Sequence, residues 1–529
     1  MRVSRHWLLW IAIAMGTPAH DPLRGQPTTA APCVRLGLPE SIDPDERWFA
    51  PPPPDRARPC AAGVVTRPLG AEVRLSHRSG VPDTRGQGAG YAWNGMNGHL
   101  RIAVDVEWRF LNLRLAPEVA VSDNADFFAF RSFDGMWIYG PPIPSDRSSY
   151  ASPWYYGPVS ADLPSRHGVA PLARVHPGAS GLWLDWNGIR IGATARQPRW
   201  GPGPGEGLIL GTSAAGLPRL EAEWTSDHRF GSSALRWFSG AALESRFFDR
   251  DSANDRRAVA GLRVEHGNDR WRFGLSRTLM DGRSNREGLE ASDLVFRRPS
   301  TDSLIDFLAV DLRWREPASR GLTWVEVIRQ QPLRSGGDLM RYPTEAISFR
   351  LGFDHRVHQS PAAEWRASAE AIRLDQPLQR AGITPPDLYT SATVVQGWTH
   401  LGQPLGSGLG PGGQRQLISM ERQGRVWSVR GSFERARWND DALYRQFLPN
   451  WWRHDVSYQV GLRLSRDIAD RPAAAQVIVG RRTSHLFQND THSPGYRDSD
   501  VPYLQVTTSI GLPRAGRSVR SGDRPGTAP

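Results

Sequence analysis

The stretch Gly188–Leu220, GIRIGATARQPRWGPGPGEGLILGTSAAGLPRL, sets the pattern that most of the chain follows. Its apolar residues Ile189, Ile191 and Ala193 alternate with other residues, which is typical of a half-buried strand. A Trp-Gly-Pro-Gly cluster at 200–203 then breaks the alternation, and apolar residues resume at 208–210. The stretch therefore predicts strand, tight turn, strand, second turn and strand.

The same alternation recurs from Ala71 to Leu512, and it includes the segment Leu388–His400. It amounts to about eighteen strands, many of them near the ~10 residues that a tilted outer-membrane strand needs. Strands of a soluble sandwich average only about 5 or 6 residues. We therefore predict an all-β fold, a closed transmembrane antiparallel β-barrel over 69–513, because closure leaves no sheet edge. The aromatic, Gly- and Pro-rich stretch 123–180 is predicted to be a long insertion in it.

Composition agrees with many short strands joined by turns. The chain has 53 Gly, 43 Pro and 21 Trp among 529 residues, and its mean hydropathy is −0.47 although 39% of residues are apolar. Such a balance excludes a helical membrane protein.

The N-terminus carries one short apolar run, Trp7–Met15, preceded by Arg2 and Arg5 and followed by small residues. It is shorter than the ~20 residues of a spanning helix, so we predict a signal peptide over 1–19 rather than a retained anchor. Export permits disulfides. Cys33 and Cys60 bracket a Pro-rich segment, and we predict that they pair within an N-terminal periplasmic leader, 20–68; two free thiols are the alternative.

The chain has 65 basic and 54 acidic residues, a net charge of +11, and every basic residue is arginine. Arginine suits the carboxylates or phosphates of an acidic glycan or of lipopolysaccharide, although codon bias explains the arginine content more simply. The acidic residues are interspersed with the basic ones, so nucleic acid is not an expected partner. The basic end, 514–529, is predicted to be a disordered tail.

Three short motifs occur in order along the chain. Asp162-Leu163-Pro164-x-Arg166-x-Gly168 comes first, Trp200-Gly201-Pro202-Gly203 follows, and Gln396–Gly406, which contains Gly402 and Gly406, comes last. In combination they resemble the capsule-assembly outer-membrane proteins of the Wzi family. The resemblance implies an occluded barrel of about eighteen strands, with long loops or short helices across its mouth, that acts as a lectin without catalysis and holds capsular polysaccharide at the cell surface. The chain departs from the family after Leu210, where Gly211–Ala215 lacks the usual asparagines.

Aromatic faces stack on sugars, and guanidinium groups bond to their hydroxyl and acidic groups. The candidate polysaccharide-binding residues are Trp154, Tyr155, Tyr156, Arg166, His167, Trp398 and His400. We expect capsular polysaccharide or exopolysaccharide, outer-membrane lipid and lipopolysaccharide as partners of a monomer in the bacterial outer membrane, with no metal and no cofactor. A porin or transporter for small solutes, or an outer-membrane enzyme acting on lipid or glycan, remains an alternative.

Overall fold

The computed structural model describes residues 65–83, 85, 88–127, 152–154, 160–248, 255–281, 294, 304–316, 320–330, 347–375, 388–446, 454–468, 471–485 and 500–511. The predicted signal peptide, the Cys33–Cys60 disulfide and the tail 514–529 lie outside the described residues.

Strands make up almost all of the regular structure. They are β1 Val65–Arg78, β2 Gly95–Trp108, β3 Leu111–Leu115, β4 Glu118–Ser122, β5 Leu172–His176, β6 Gly181–Trp186, β7 Ile189–Thr194, β8 Arg219–His228, β9 Gly231–Leu243, β10 Arg256–Gly267, β11 Trp271–Asp281, β12 Leu304–Arg315, β13 Gly321–Gln330, β14 Ile347–Gln359, β15 Ala363–Arg373, β16 Thr399–His400, β17 Gln403–Pro404, β18 Gln414–Gly424, β19 Trp427–Trp438, β20 Asp455–Ile468, β21 Arg471–Thr483 and β22 Val501–Gly511. Helix α1 spans Asp440–Gln446.

All strands except β16 and β17 form one antiparallel sheet, and β22 pairs with β1 to close it. Two strands of the barrel wall are interrupted, each giving two shorter strands. Pro117, which lacks an N–H, separates β3 from β4. Gly178 lies between β5 and β6, at a position where an added Cβ would be 2.2 Å from the Ala116 carbonyl oxygen. With each broken pair counted once, the barrel has 18 strands, which confirms the predicted fold class.

Side chains alternate between the two faces of the wall, as the period of a strand requires. On β2, Ile102 is exposed on the outside, whereas Ala103 and Asp105 are buried inside. Apolar residues outside and polar residues inside are the arrangement of a barrel in lipid.

The two ends of the barrel differ. Connections at one end are as short as the two residues between β2 and β3, and those at the other end are as long as the 49 residues between β4 and β5. Exposed aromatic residues cluster at the short-turn end, as at a membrane interface; they are Trp108, Phe110, Trp186, Phe230, Trp271 and Trp314.

Two predicted strands were wrong. The segments Leu208–Leu210 and Leu388–His400 are not strands of the barrel wall. Both fold into the lumen, where their apolar side chains are buried. A further correction concerns the predicted insertion 123–180, since β5, Leu172–His176, pairs with β4 inside the wall. The predicted leader is also too long, because β1 begins at Val65.

Candidate functional site: the plugged lumen

Three connections at the long-turn end fold back into the barrel. Their described residues are 79–83, 85, 88–94, 195–218 and 388–413, and we call them together the plug. Leu208, Ile209 and Leu210 from the second connection and Trp398 from the third pack against the wall residue Phe307 in one buried apolar cluster. Burial of this apolar surface is what holds irregular segments inside a polar lumen.

Hydrogen bonds join the second and third connections of the plug. The Trp398 Nε1–H donates to the Ile209 carbonyl oxygen at 2.7 Å, and the Tyr389 hydroxyl donates to the Leu208 carbonyl oxygen. The Gly211 N–H donates to the Leu405 carbonyl oxygen at 2.7 Å. Backbone groups that would be costly to bury alone are therefore paired across the plug.

The wall holds the plug through buried Glu and Arg side chains. The Glu326 carboxylate on β13 accepts from the Leu208 N–H, with Oε1 at 3.1 Å. The Arg350 guanidinium on β14 donates to the Pro204 carbonyl oxygen and is paired with Glu370. Gly203 lies over the ring of Trp324, where an added Cβ would be 2.7 Å from the ring atoms. The Trp-Gly-Pro-Gly cluster is thus a turn within the plug; the prediction that it joins two barrel strands was wrong.

The first connection of the plug is held by a separate ion-pair network. The Arg85 guanidinium lies between Asp83, at 2.8 Å, and Glu434 on β19. Burial opposes the charged form of Asp83, but Arg85 outweighs it, so the pKa of Asp83 lies below its usual range. Asp83 is therefore charged at neutral pH when the plug is in place.

The predicted polysaccharide-binding residues that the structure describes are all buried. The exposed fractions are 2% for Trp154, 5% for Arg166, 2% for His167, 0% for Trp398 and 1% for His400. Tyr155 and Tyr156 lie outside the described residues. The contacts of the five buried side chains give them a structural role, and their binding of polysaccharide stays a prediction.

Those contacts tie the long connections together. The Arg166 guanidinium donates to the Asn124 carbonyl oxygen at 2.9 Å and pairs with Asp126 at 3.0 Å. The Trp154 Nε1–H donates to Asn439 Oδ1 at 2.8 Å. Arg166 and Trp154 therefore fix loops at the long-turn end of the barrel.

The first sequence motif joins the plug to the wall. The Asp162 carboxylate accepts from the Ser245 N–H at 2.6 Å and from its hydroxyl at 2.8 Å, next to the end of β9. His167 lies 4.6 Å from the Trp93 ring centroid and against Gly402, where an added Cβ would meet its ring at 2.8 Å. The remaining motif positions, Leu163, Pro164, Gly168, Gly201, Pro202 and Gly406, lie in the same inward-folded or loop segments.

The two buried histidines of these motifs are held neutral. His400 Nδ1 accepts from the Leu243 N–H at 3.0 Å, and burial lowers its pKa to about 3. Burial also lowers the pKa of His167, and Arg174 beside it adds to the shift. Neither is poised to exchange a proton near neutral pH.

A polar cavity of about 200 Å³ lies between the plug and the wall strands β8 to β12. Eight arginines and five carboxylates line it, together with Gln197 and Trp200. This cavity was not predicted from the sequence, although charged residues that alternate with apolar ones, such as Asp311 and Arg313 on β12, were the available signal. Within the described residues, no group of His, Cys, Asp and Glu side chains could hold a metal ion. No helix there is long and apolar enough to cross a membrane.

The fold resembles solved outer-membrane proteins. No protein-family model and no curated protein matches the chain. Wzi of Escherichia coli, described as an outer membrane protein involved in group 1 capsule assembly and as a carbohydrate-binding β-barrel, aligns over 84% of both chains, with a TM-score of 0.55 and 12% identity. This chain is a β-barrel of the bacterial outer membrane.

Two further solved structures align over most of the barrel. The outer membrane protein OpdK of Pseudomonas aeruginosa has a TM-score of 0.40 and 8% identity, with 85% of this chain and 98% of OpdK covered. OccAB3 of Acinetobacter baumannii has a TM-score of 0.42 and 8% identity, with 84% of this chain and 99% of OccAB3 covered. At these identities the likenesses concern the fold alone.

Proposed function

We propose that this outer-membrane barrel binds a capsular or extracellular polysaccharide and holds it at the cell surface. The observation that carries the proposal is the plug. Its buried apolar cluster runs from Phe238 on β9 across Leu210 and Trp398 to Trp438 on β19, so it bridges opposite parts of the wall. A protein whose lumen is filled in this way is better suited to display a surface than to pass solutes.

Two further considerations support the proposal. Wzi, which shares the fold, is described as a carbohydrate-binding barrel involved in capsule assembly. Buried contacts of Arg166 and Trp154 fix the described parts of two loops at the long-turn end, and a pre-ordered surface loses little entropy when a polymer binds. A catalytic role is not part of the proposal.

The test is retention of polysaccharide by cells. A strain that lacks the protein should release into the medium polysaccharide that the parent strain keeps at its surface, and expression of the protein should restore retention. Binding of the purified polysaccharide to the refolded protein should be measured alongside. Equal retention by the two strains, combined with uptake of small solutes that depends on the protein, would instead support the porin alternative.

A further inference from the structure

Two arginines face each other on the lumen side of the wall, and neither forms an ion pair with a carboxylate of the described residues. Arg272 on β11 and Arg313 on β12 are register partners of the antiparallel pair, and both line the polar cavity. Like charges directly opposite on neighbouring strands destabilise a sheet. Placement of the two guanidinium groups side by side therefore has an electrostatic cost.

The neighbouring carboxylates already have partners. Asp311 pairs with Arg263 at 2.6 Å. Glu265 pairs with Arg263 at 2.8 Å and with Arg236 at 3.4 Å. Among the described residues, neither Arg272 nor Arg313 forms a hydrogen bond or an ion pair through its guanidinium group, whereas Arg236 and Arg263 each form at least two.

The guanidinium groups of Arg272 and Arg313 have room for a ligand. The cavity volume of about 200 Å³ is several times the ~30 Å³ that one water molecule takes up in the liquid. Its lining carries three more arginines than carboxylates, so an anion entering it meets a net positive charge. Arginine forks match carboxylate and phosphate groups in geometry as well as in charge.

We propose that Arg272 and Arg313 form an oxyanion site that binds the carboxylate or phosphate group of a small ligand in the cavity between the plug and the wall. The site goes beyond the proposed function and does not depend on it, since a barrel with another role at its long-turn end would keep it. The oxyanion could belong to an acidic sugar or be free phosphate, and probes of both kinds distinguish these two sources.

The experiment measures the melting midpoint of the refolded barrel in detergent at low salt, titrated with glucuronate, inorganic phosphate or glucose. The variant is Arg272→Gln with Arg313→Gln. The matched control is Arg320→Gln, an exposed arginine in the turn between β12 and β13 at the same end of the barrel. Arg313→Lys keeps the charge but not the fork and serves as a second variant.

Glucuronate should raise the midpoint of the wild-type protein and of the Arg320→Gln control, and glucose should not. The double variant should lose at least about tenfold in apparent affinity, because each charge-assisted hydrogen bond contributes more than about 1.4 kcal/mol. Without ligand it should melt no lower than the wild type, since a like-charge contact is gone. Arg313→Lys should bind with intermediate affinity.

Equal shifts of the midpoint with phosphate and glucuronate would assign a general oxyanion site, and a much weaker shift with phosphate would assign an acidic sugar. A shift that the double variant retains, or one that glucose reproduces, would overturn the site.

Discussion

The indole N–H of Trp398 donates a 2.7 Å hydrogen bond to the carbonyl oxygen of Ile209, although the two residues lie 189 positions apart. Each residue belongs to a different inward-folded connection, and both are buried in the same apolar cluster. This bond joins the Trp-Gly-Pro-Gly segment to the late Gly-rich segment, so the two motifs form one element of the fold.

Replacement of Trp398 should loosen the plug. Trp398→Ala removes the bond to Ile209 and leaves a cavity among fully buried residues, which should cost about 3–5 kcal/mol. Trp398→Phe keeps most of the volume and should cost less. The temperature at which the barrel loses its heat-modified gel mobility measures both. Equal midpoints for the wild type and the alanine variant would show that the plug does not contribute to stability.

Glu326 should act as an acceptor for the plug backbone. Glu326→Ala leaves the buried Leu208 N–H without its wall partner, and such an orphaned group costs about 1–3 kcal/mol. Glu326→Gln retains a carbonyl oxygen at that position and should be milder. Hydrogen exchange at the Leu208 amide reports the bond directly, and exchange in the alanine variant that is as slow as in the wild type would contradict the assignment.

The Asp83–Arg85–Glu434 network should stabilise the barrel at all but strongly acidic pH. Because the pKa of Asp83 is lower in the folded protein than its unfolded value of about 3.9, its contribution is complete above that value and is lost as pH falls through the folded pKa. Asp83→Asn should therefore lower the unfolding midpoint at pH 7. The difference in unfolding midpoint between Asp83→Asn and the wild type should shrink only below about pH 4. A difference that has already vanished near pH 6 would contradict the lowered pKa of Asp83.

His400 should make the barrel less stable in mild acid. Its folded pKa of about 3 lies below the unfolded value of about 6.5, so the unfolded state takes up the proton first and stability falls as pH drops below about 6.5. His400→Gln can still accept from the Leu243 N–H but cannot be protonated. The unfolding midpoint of His400→Gln should fall less steeply than that of the wild type between pH 7 and pH 4. If the midpoints of the two proteins fall in parallel, the loss of stability in acid comes from other groups.

Arg166 should fix a loop, whatever its relation to sugar. Arg166→Ala removes the bonds to the Asn124 carbonyl oxygen and to Asp126, so proteolysis near residues 124–126 should become faster. Arg229→Ala, in the turn between β8 and β9 at the other end of the barrel, is the control. If Arg166→Ala weakens polysaccharide binding without any change in proteolysis, Arg166 contacts the polymer directly.

The wall of the barrel follows from the sequence, because alternation alone places Ile102 outside and Asp105 inside. The plug does not follow from it. Leu208–Leu210 has the apolar pattern of a strand, and what excludes it from the wall is the lack of a neighbour to pair with, which depends on the closed order of the other strands. The same applies to Leu388–His400.

The candidate site shows the same limit. Trp154 and Arg166 have the chemistry of sugar-binding residues, but exposure decides whether a side chain is available, and exposure comes from packing against distant residues such as Asn439. The motifs indicated the fold correctly, whereas the role of their side chains depended on the structure.

The most direct measurement of the central claim is the conductance of the wild-type barrel in planar bilayers, with Trp398→Ala and Glu326→Ala as loosened controls. We predict no stepwise openings for the wild type, because the plug fills the lumen, and ion leak that appears in one or both variants. Stable stepwise openings of the wild-type protein, unchanged in the variants, would contradict a closed lumen and would favour a porin.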